Sequence, residues 1–300
     1  MNKVRVTTLS FFIFVALTAM FSFFYFYEEN NNTVAEHNAR AEEVEIVNPF
    51  DAIDIVASAA YVFDIKTNKV LFQKNATTTY PLASLTKILA TIVTREALPK
   101  TTEITIGNSD LAPDGDSGLY PNEVWSMDDL LALTLVASSN DGTRALRESL
   151  KKNLDLDLVE EMNRKARAIG MKKTYFLNES GLDITTGVSG AYGTAEDVSR
   201  ALTYARMRHY ELFRATRDEE FSVQATQYAG AHLVANTNKI AERIPSLLIG
   251  KTGLTDLAGG NLGIIFEKEP AHPVAVVVLG STEDGRFADM EALVWATIAY

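Results

Sequence analysis

The chain has 300 residues, 47% of them hydrophobic and 22% charged, the composition of a folded protein with no low-complexity tract in its body. Its net charge is −11 and its Lys and Arg residues form no stripe, which argues against nucleic-acid binding, since that needs a basic surface. It contains no cysteine, so disulfide chemistry is excluded and the compartment is left open.

Lys3 and Arg5 precede an uncharged apolar run from Leu9 to Tyr27, which as a helix would be about 28 Å long. Charge turns negative directly afterwards, at Glu28 and Glu29. This asymmetry predicts a cytoplasmic tail over 1–8 and a single transmembrane signal anchor over 9–27, with the rest of the chain outside the cytoplasmic membrane. The alternative is a cleaved signal peptide. The run ends Phe23-Phe24-Tyr25-Phe26-Tyr27, which lacks the small residues of a cleavage site and has the character of an interfacial aromatic belt. Residues 28–48 are polar and acidic and are expected to be a tether.

The folded body is expected over 49–300 as one domain. Ala59–Asp64 and Val70–Gln73 read as strands about a Lys66–Lys69 turn. From Ser84 to Leu98, the residues Leu85, Ile88, Leu89, Ile92 and Val93 recur at helical spacing, bounded by Pro81 and Pro99. Trp125–Leu146, with a polar break at Ser138–Asn140, and Leu154–Ile169 also read as helical. Three late apolar runs, Leu247–Thr252, Gly260–Phe266 and Pro273–Leu279, read as strands, and Ala288–Tyr300 as a closing helix. Early strands, a helical middle and late strands predict an α+β fold, with one antiparallel sheet whose first and last parts pair beneath covering helices.

Three short segments carry chemistry. In Ser84-Leu-Thr-Lys87 a hydroxyl and an amine lie one helical turn apart on one face, at a helix N-terminus whose free N–H groups suit a developing oxyanion. Read alone, Ser84 serves equally well as a plain N-cap. At an ordinary pKa of about 10.4, roughly four lysines in ten thousand are uncharged at neutral pH. Lys87 can therefore act as a base only where burial or a second cation lowers that value, and Lys251 is the candidate cation. A second Ser-x-x-Lys, Ser149–Lys152, reads as a solvated helix face. Ser138-Ser139-Asn140 offers a hydroxyl and an amide on a polar break, or alternatively a cap and a turn. Lys251-Thr252-Gly253 ends an apolar strand, where glycine lets a ligand approach the edge while the lysine charge and threonine hydroxyl suit a carboxylate. The four histidines, His37, His209, His232 and His272, show no paired ligand spacing, and no Gly-rich loop links a strand to a helix; neither metal nor cofactor is expected.

In order and context these segments resemble the serine D-alanyl-D-alanine carboxypeptidases, the low-molecular-mass penicillin-binding proteins. The likeness covers most of residues 55–298. It is carried by Tyr80–Lys87, Leu135–Asp141, Glu179-Ser-Gly-Leu-Asp183, Asn236-Thr-Asn238 and Gly250–Gly259. The resemblance implies a transpeptidase-like fold and removal of the terminal D-alanine from peptidoglycan stem peptides, with β-lactams as inhibitors. It also implies roles. Ser84 would be the acylated nucleophile, Lys87 its base and Ser138 a proton relay to the leaving D-alanine. Asn140 would hold the acyl amide. Lys251 and Thr252, beside Gly253 and helped by Arg286, would line the carboxylate side. The backbone N–H groups of Ser84 and Leu254 would form the oxyanion hole. Arg286 could alternatively be an exposed arginine at a helix start. Family members often carry a second, all-β domain and a C-terminal amphipathic helix, and neither is expected here, the N-terminal anchor taking over attachment. At position 254 they often have a bulkier polar or aromatic residue than leucine.

Three rivals stand beside this reading. A β-lactamase of the same fold adds a deacylating glutamate, to which Glu179 comes near. A peptidoglycan endopeptidase would show the same motifs. A non-catalytic penicillin-binding sensor would need an output domain, for which the short segment before the anchor leaves no room.

Overall fold

The computed structural model describes residues 15–29, 48–111 and 118–300. Residues 15–29 are helical (α1). The first part of the expected anchor, residues 9–14, and nearly all of the expected tether lie outside the described residues. Among the described residues no helix is long and apolar enough to cross a membrane.

Residues 48–300 form one compact unit. It begins with strands β1 (Ala59–Asp64), β2 (Lys69–Lys74) and the short β3 (Tyr80–Pro81), then a 3-10 turn over Ala83–Thr86 and helix α2 (Lys87–Ala97). The β4–β5 pair (Glu103–Thr105, Val124–Ser126) leads into α3 (Met127–Val136), α4 (Asn140–Leu154) and α5 (Leu158–Ala168). Next come β6 (Tyr175–Phe176), β7 (Ala191–Gly193), α6 (Ala195–Arg208) and the single turn α7 (Tyr210–Phe213). The β8–β9 pair (Glu220–Val223, His232–Ala235), β10 (Leu247–Thr255), β11 (Gly259–Glu269), β12 (His272–Ser281) and α8 (Gly285–Ala299) complete the unit.

The main sheet has five strands in the order β10-β11-β12-β1-β2, each neighbouring pair antiparallel. β1 pairs with β12, Val62 opposite Val276, so the first and last parts of the body join as expected. Side chains alternate across a strand. Val274, Val276 and Val278 of β12 therefore enter one core with Phe287, Met290 and Leu293 of α8, while Ala275, Val277 and Leu279 enter the other with α2 and α6. Burial on both faces explains why this strand reads as an unbroken apolar run and not as an alternation. β10 forms one edge of the sheet and β2 the other.

Every residue of α2 from Lys87 to Thr94 is buried. Thr91 and Thr94 are buried with their hydroxyls donating back to the Lys87 and Ala90 carbonyls of the helix. Lys87 stands at 0% exposure, where an unpartnered charge would be costly.

Several expected boundaries move. Ser84 does not open an α-helix: Ala83 is left-handed (φ +47°), Ser84 lies in the 3-10 turn, and α2 begins at Lys87. Trp125 is in β5 because Ser126 caps α3, accepting from the Asp129 N–H. α5 begins at Leu158 and not Leu154, because Asp155 is left-handed (φ +56°) and Asp157 caps the new helix. α6 was not among the expected helices; its cue is the cap in which Thr194 accepts from the Asp197 N–H.

Candidate active site

The expected nucleophile and base meet at the head of the buried helix. Lys87 Nζ lies 2.8 Å from Ser84 Oγ, 2.7 Å from Asn140 Oδ1 and 3.2 Å from the Ser180 carbonyl oxygen. The last two oxygens can only accept. An uncharged amine would donate its two N–H groups to them and turn its lone pair to the hydroxyl of Ser84, the geometry of a general base. The hydroxyl of Ser84 caps nothing: α2 has Thr86 at its N-cap position, without a side-chain cap bond.

Ser138 and Asn140 come from the break between α3 and α4. Ser138 is held left-handed (φ +61°), uncommon for a residue with a side chain and a form of strain concentrated at functional sites. Ser139 does the structural work beside it, accepting from the Gly142 N–H at 2.8 Å to cap α4. The Ser138 hydroxyl is left facing Lys251, whose Nζ donates to it at 2.8 Å and to the Thr252 carbonyl at 2.9 Å. Lys251 is 1% exposed. Burial pushes its amine well below the ordinary lysine value, and repulsion from Lys87 and then Arg286 adds to the drop. With Lys87 buried as well, a positive charge on Lys87 raises the cost of a charge on Lys251.

Gly253 packs directly behind Ser84. A Cβ there would sit 2.9 Å from the Leu82 carbonyl oxygen and 3.2 Å from Ser84 N. Thr252 is buried and its hydroxyl lies 2.6 Å from that of Thr237. Leu254 is exposed. Arg286 is not an exposed helix-start arginine: it is 4% exposed and its Nη1 donates to the Gly253 carbonyl at 2.8 Å. Burial lowers its pKa, opposed by Glu283 and Asp284.

Other residues of the site were not singled out in the sequence. Ser180 supplies the third oxygen around Lys87. Gly181 (φ +81°) lets that loop touch the turn that carries Ser84, for a Cβ there would meet the Ala83 carbonyl oxygen at 1.9 Å. Asp183 accepts from Thr255 Oγ1 and Leu257 N–H, fastening the same loop to the end of β10. Thr237 joins the two walls, its N–H donating to the Val136 carbonyl and its hydroxyl meeting Thr252. All four lie within or beside the Glu179–Asp183 and Asn236–Asn238 stretches that carry the family likeness. Glu179, the residue that a β-lactamase would need, pairs with Arg147 at 3.8 Å. The second Ser-x-x-Lys does not unite its residues: Ser149 is buried, contrary to the solvated face expected, and Lys152 is exposed. His209, His232 and His272 each meet a carboxylate, Glu96, Glu123 and Asp64 respectively, and His37 lies outside the described residues.

The family model for D-alanyl-D-alanine carboxypeptidase matches residues 44–283. The chain is 28% identical over 245 residues to the D-alanyl-D-alanine carboxypeptidase DacF of Bacillus subtilis, covering 78% of this chain and 60% of that protein. It is also 28% identical over 231 residues to a D-alanyl-D-alanine endopeptidase of Pseudomonas aeruginosa, covering 75% of this chain and 72% of the relative. Among solved structures it is similar to penicillin-binding protein D2 of Listeria monocytogenes in the ampicillin-bound form. That match has a TM-score of 0.69 at 27% identity, over 81% of this chain and 98% of the other.

Proposed function

Because the chain belongs to the D-alanyl-D-alanine carboxypeptidase family, we propose that it removes the terminal D-alanine of peptidoglycan stem peptides through an acyl-enzyme on Ser84. The contact of Lys87 Nζ with Ser84 Oγ, in a shell whose other oxygens only accept, carries the reading. Lys87 takes the hydroxyl proton as Ser84 attacks the penultimate D-alanine carbonyl, and the N–H groups of Ser84 and Leu254 bind the oxyanion. Ser138, held by Lys251, relays the proton taken up by Lys87 to the departing D-alanine amine as the peptide C–N bond breaks. Asn140 orients Lys87 and holds the acyl amide, while Lys251, Thr252 and Gly253 border the space for the terminal carboxylate, with Arg286 behind Gly253. Water then cleaves the ester and restores Ser84.

A second reading, cleavage of cross-linked peptides, has the endopeptidase relative in its favour, at the same identity as the carboxypeptidase. The pairing of Glu179 with Arg147 favours both over a β-lactamase. The apolar run 9–27 supports a single-pass anchor with the body of 49–300 on the outer side of the membrane and 28–48 as tether; carbonate extraction of membranes with protease shaving tests it. For the chemistry, intact-protein mass spectrometry should find a penicillin adduct that disappears in Ser84→Ala. D-alanine release from a stem pentapeptide should exceed cleavage of a cross-linked dimer. A wild type that forms no adduct, or an adduct that survives Ser84→Ala, refutes the proposal.

A further inference from the structure

Arg286 is placed where it can act on the peptide backbone. It is almost fully buried, its guanidinium carbon lies 4.7 Å from the Phe287 ring centroid, and its Cδ is 3.1 Å from where a Cβ at Gly260 would be. So confined, it donates from Nη1 to the Gly253 carbonyl at 2.8 Å. That carbonyl and the Leu254 N–H belong to one peptide unit, and the described chain has no cis peptide bond. In a trans peptide the two groups point in opposite directions, so the Leu254 N–H is aimed away from Arg286. Across Gly253 stands the nucleophile's own turn, with Ser84 N at 3.2 Å from the Cβ position.

We propose that Arg286 is a positioning residue for the oxyanion hole: by gripping the Gly253 carbonyl it fixes the plane of the peptide whose Leu254 N–H receives the developing negative charge. The guanidinium also polarises that peptide, since a charged donor on the carbonyl strengthens the N–H at the other end. The inference rests on the acyl-transfer reading given above. It differs from a carboxylate-binding role in its consequence. An arginine that held the substrate carboxylate would matter only for ligands bearing one. An arginine that sets the oxyanion hole matters for every ligand that becomes tetrahedral on Ser84.

Phenylboronic acid, which has no carboxylate, separates the two. Its boron accepts a lone pair from Ser84 Oγ, the serine proton passes to Lys87, and a hydroxyl of the now anionic tetrahedral boronate occupies the oxyanion hole. Its affinity and the rate of acylation by benzylpenicillin should be measured on wild type, Ser84→Ala, Arg286→Met and Arg286→Lys. Arg286→Met is expected to weaken the boronate roughly tenfold or more and to slow penicillin acylation in parallel, since a lost oxyanion donor costs about 10²–10³ in rate. Arg286→Lys, which keeps a cation and a donor, should recover part of both. Boronate binding unchanged in Arg286→Met, with the loss confined to penicillin, overturns the inference and leaves the acyl-transfer reading standing. A wild type that binds neither ligand at Ser84 overturns both. Should Arg286→Met fail to fold, Arg286→Lys decides: a loss shared by the two ligands supports the clamp, and a loss for penicillin alone refutes it.

Discussion

Gly181 shows how little freedom the turn carrying Ser84 has. Its φ of +81° is one that an L side chain adopts at a cost of about 1–2 kcal/mol, and the missing Cβ would overlap the Ala83 carbonyl oxygen at 1.9 Å. Because that oxygen is backbone, relief requires the loop or the turn to move. The same loop places the Ser180 carbonyl on Lys87, so a shift displaces Lys87 and Ser84 together. Gly181→Ala is therefore expected to slow penicillin acylation about a hundredfold, the scale of an ångström-sized misplacement, and to destabilise the fold by at least about 2 kcal/mol. Stopped-flow acylation alongside urea denaturation measures both. Acylation at the wild-type rate would show that the loop can yield without disturbing the site.

At the scale of elements, the loop 178–190 is a fastened strap. Its ends meet where the Leu177 and Asn178 N–H groups donate to the Gly190 carbonyl, and Asn178 closes it from within, accepting from Gly181 N–H and donating to the Leu182 carbonyl. Asp183 ties it to β10 through Thr255 and Leu257. Asp183→Ala removes two acceptor contacts worth about 1–3 kcal/mol together. Hydrogen exchange at Leu257 should quicken while amides of β12 stay protected, and acylation should fall by less than tenfold. Unchanged exchange at Leu257 would mean that the tie carries no load. These ties mark the limit of what the sequence discloses. The strands β1, β10, β11 and β12, α8 and the three motif segments are legible because each depends on neighbours within a few residues: apolar runs, turn formers, a hydroxyl one turn from an amine. The Asp183–Thr255 contact spans 72 residues and the Lys251–Ser138 contact 113, and no local pattern encodes a partner at such distance. Ser84 was misplaced for a related reason. The left-handed residue Ala83 lies against Gly181, 98 positions along the chain, and alanine gives no local sign of it.

Across the whole molecule, the cleft is the seam between a helical wall and the β10 edge of the sheet, closed by polar ties: Lys87 to Asn140, Lys251 to Ser138, Thr237 to Val136 and Thr252. Lys251 and Arg286 are buried there in a chain of net charge −11, and a ligand ending in a carboxylate would offset the charge they carry. Concentrating cations has a cost that pH exposes. Lys251 has its folded-state pKa lowered, whereas in the unfolded chain it returns to about 10.4. Between those two values the unfolded chain binds the proton and the folded one does not, so stability rises with pH across that window. Below the folded value both states are protonated, and the fold carries the full burden of a buried charge. Lys251→Met has no such group. Its stability relative to wild type should therefore be highest at the acidic end, and the difference should shrink steadily as pH rises toward about 10. Urea unfolding of the two proteins at stepped pH reads this directly. A difference constant across the range would mean that Lys251 keeps an ordinary affinity for its proton despite its burial, and the account of its lowered pKa would fall.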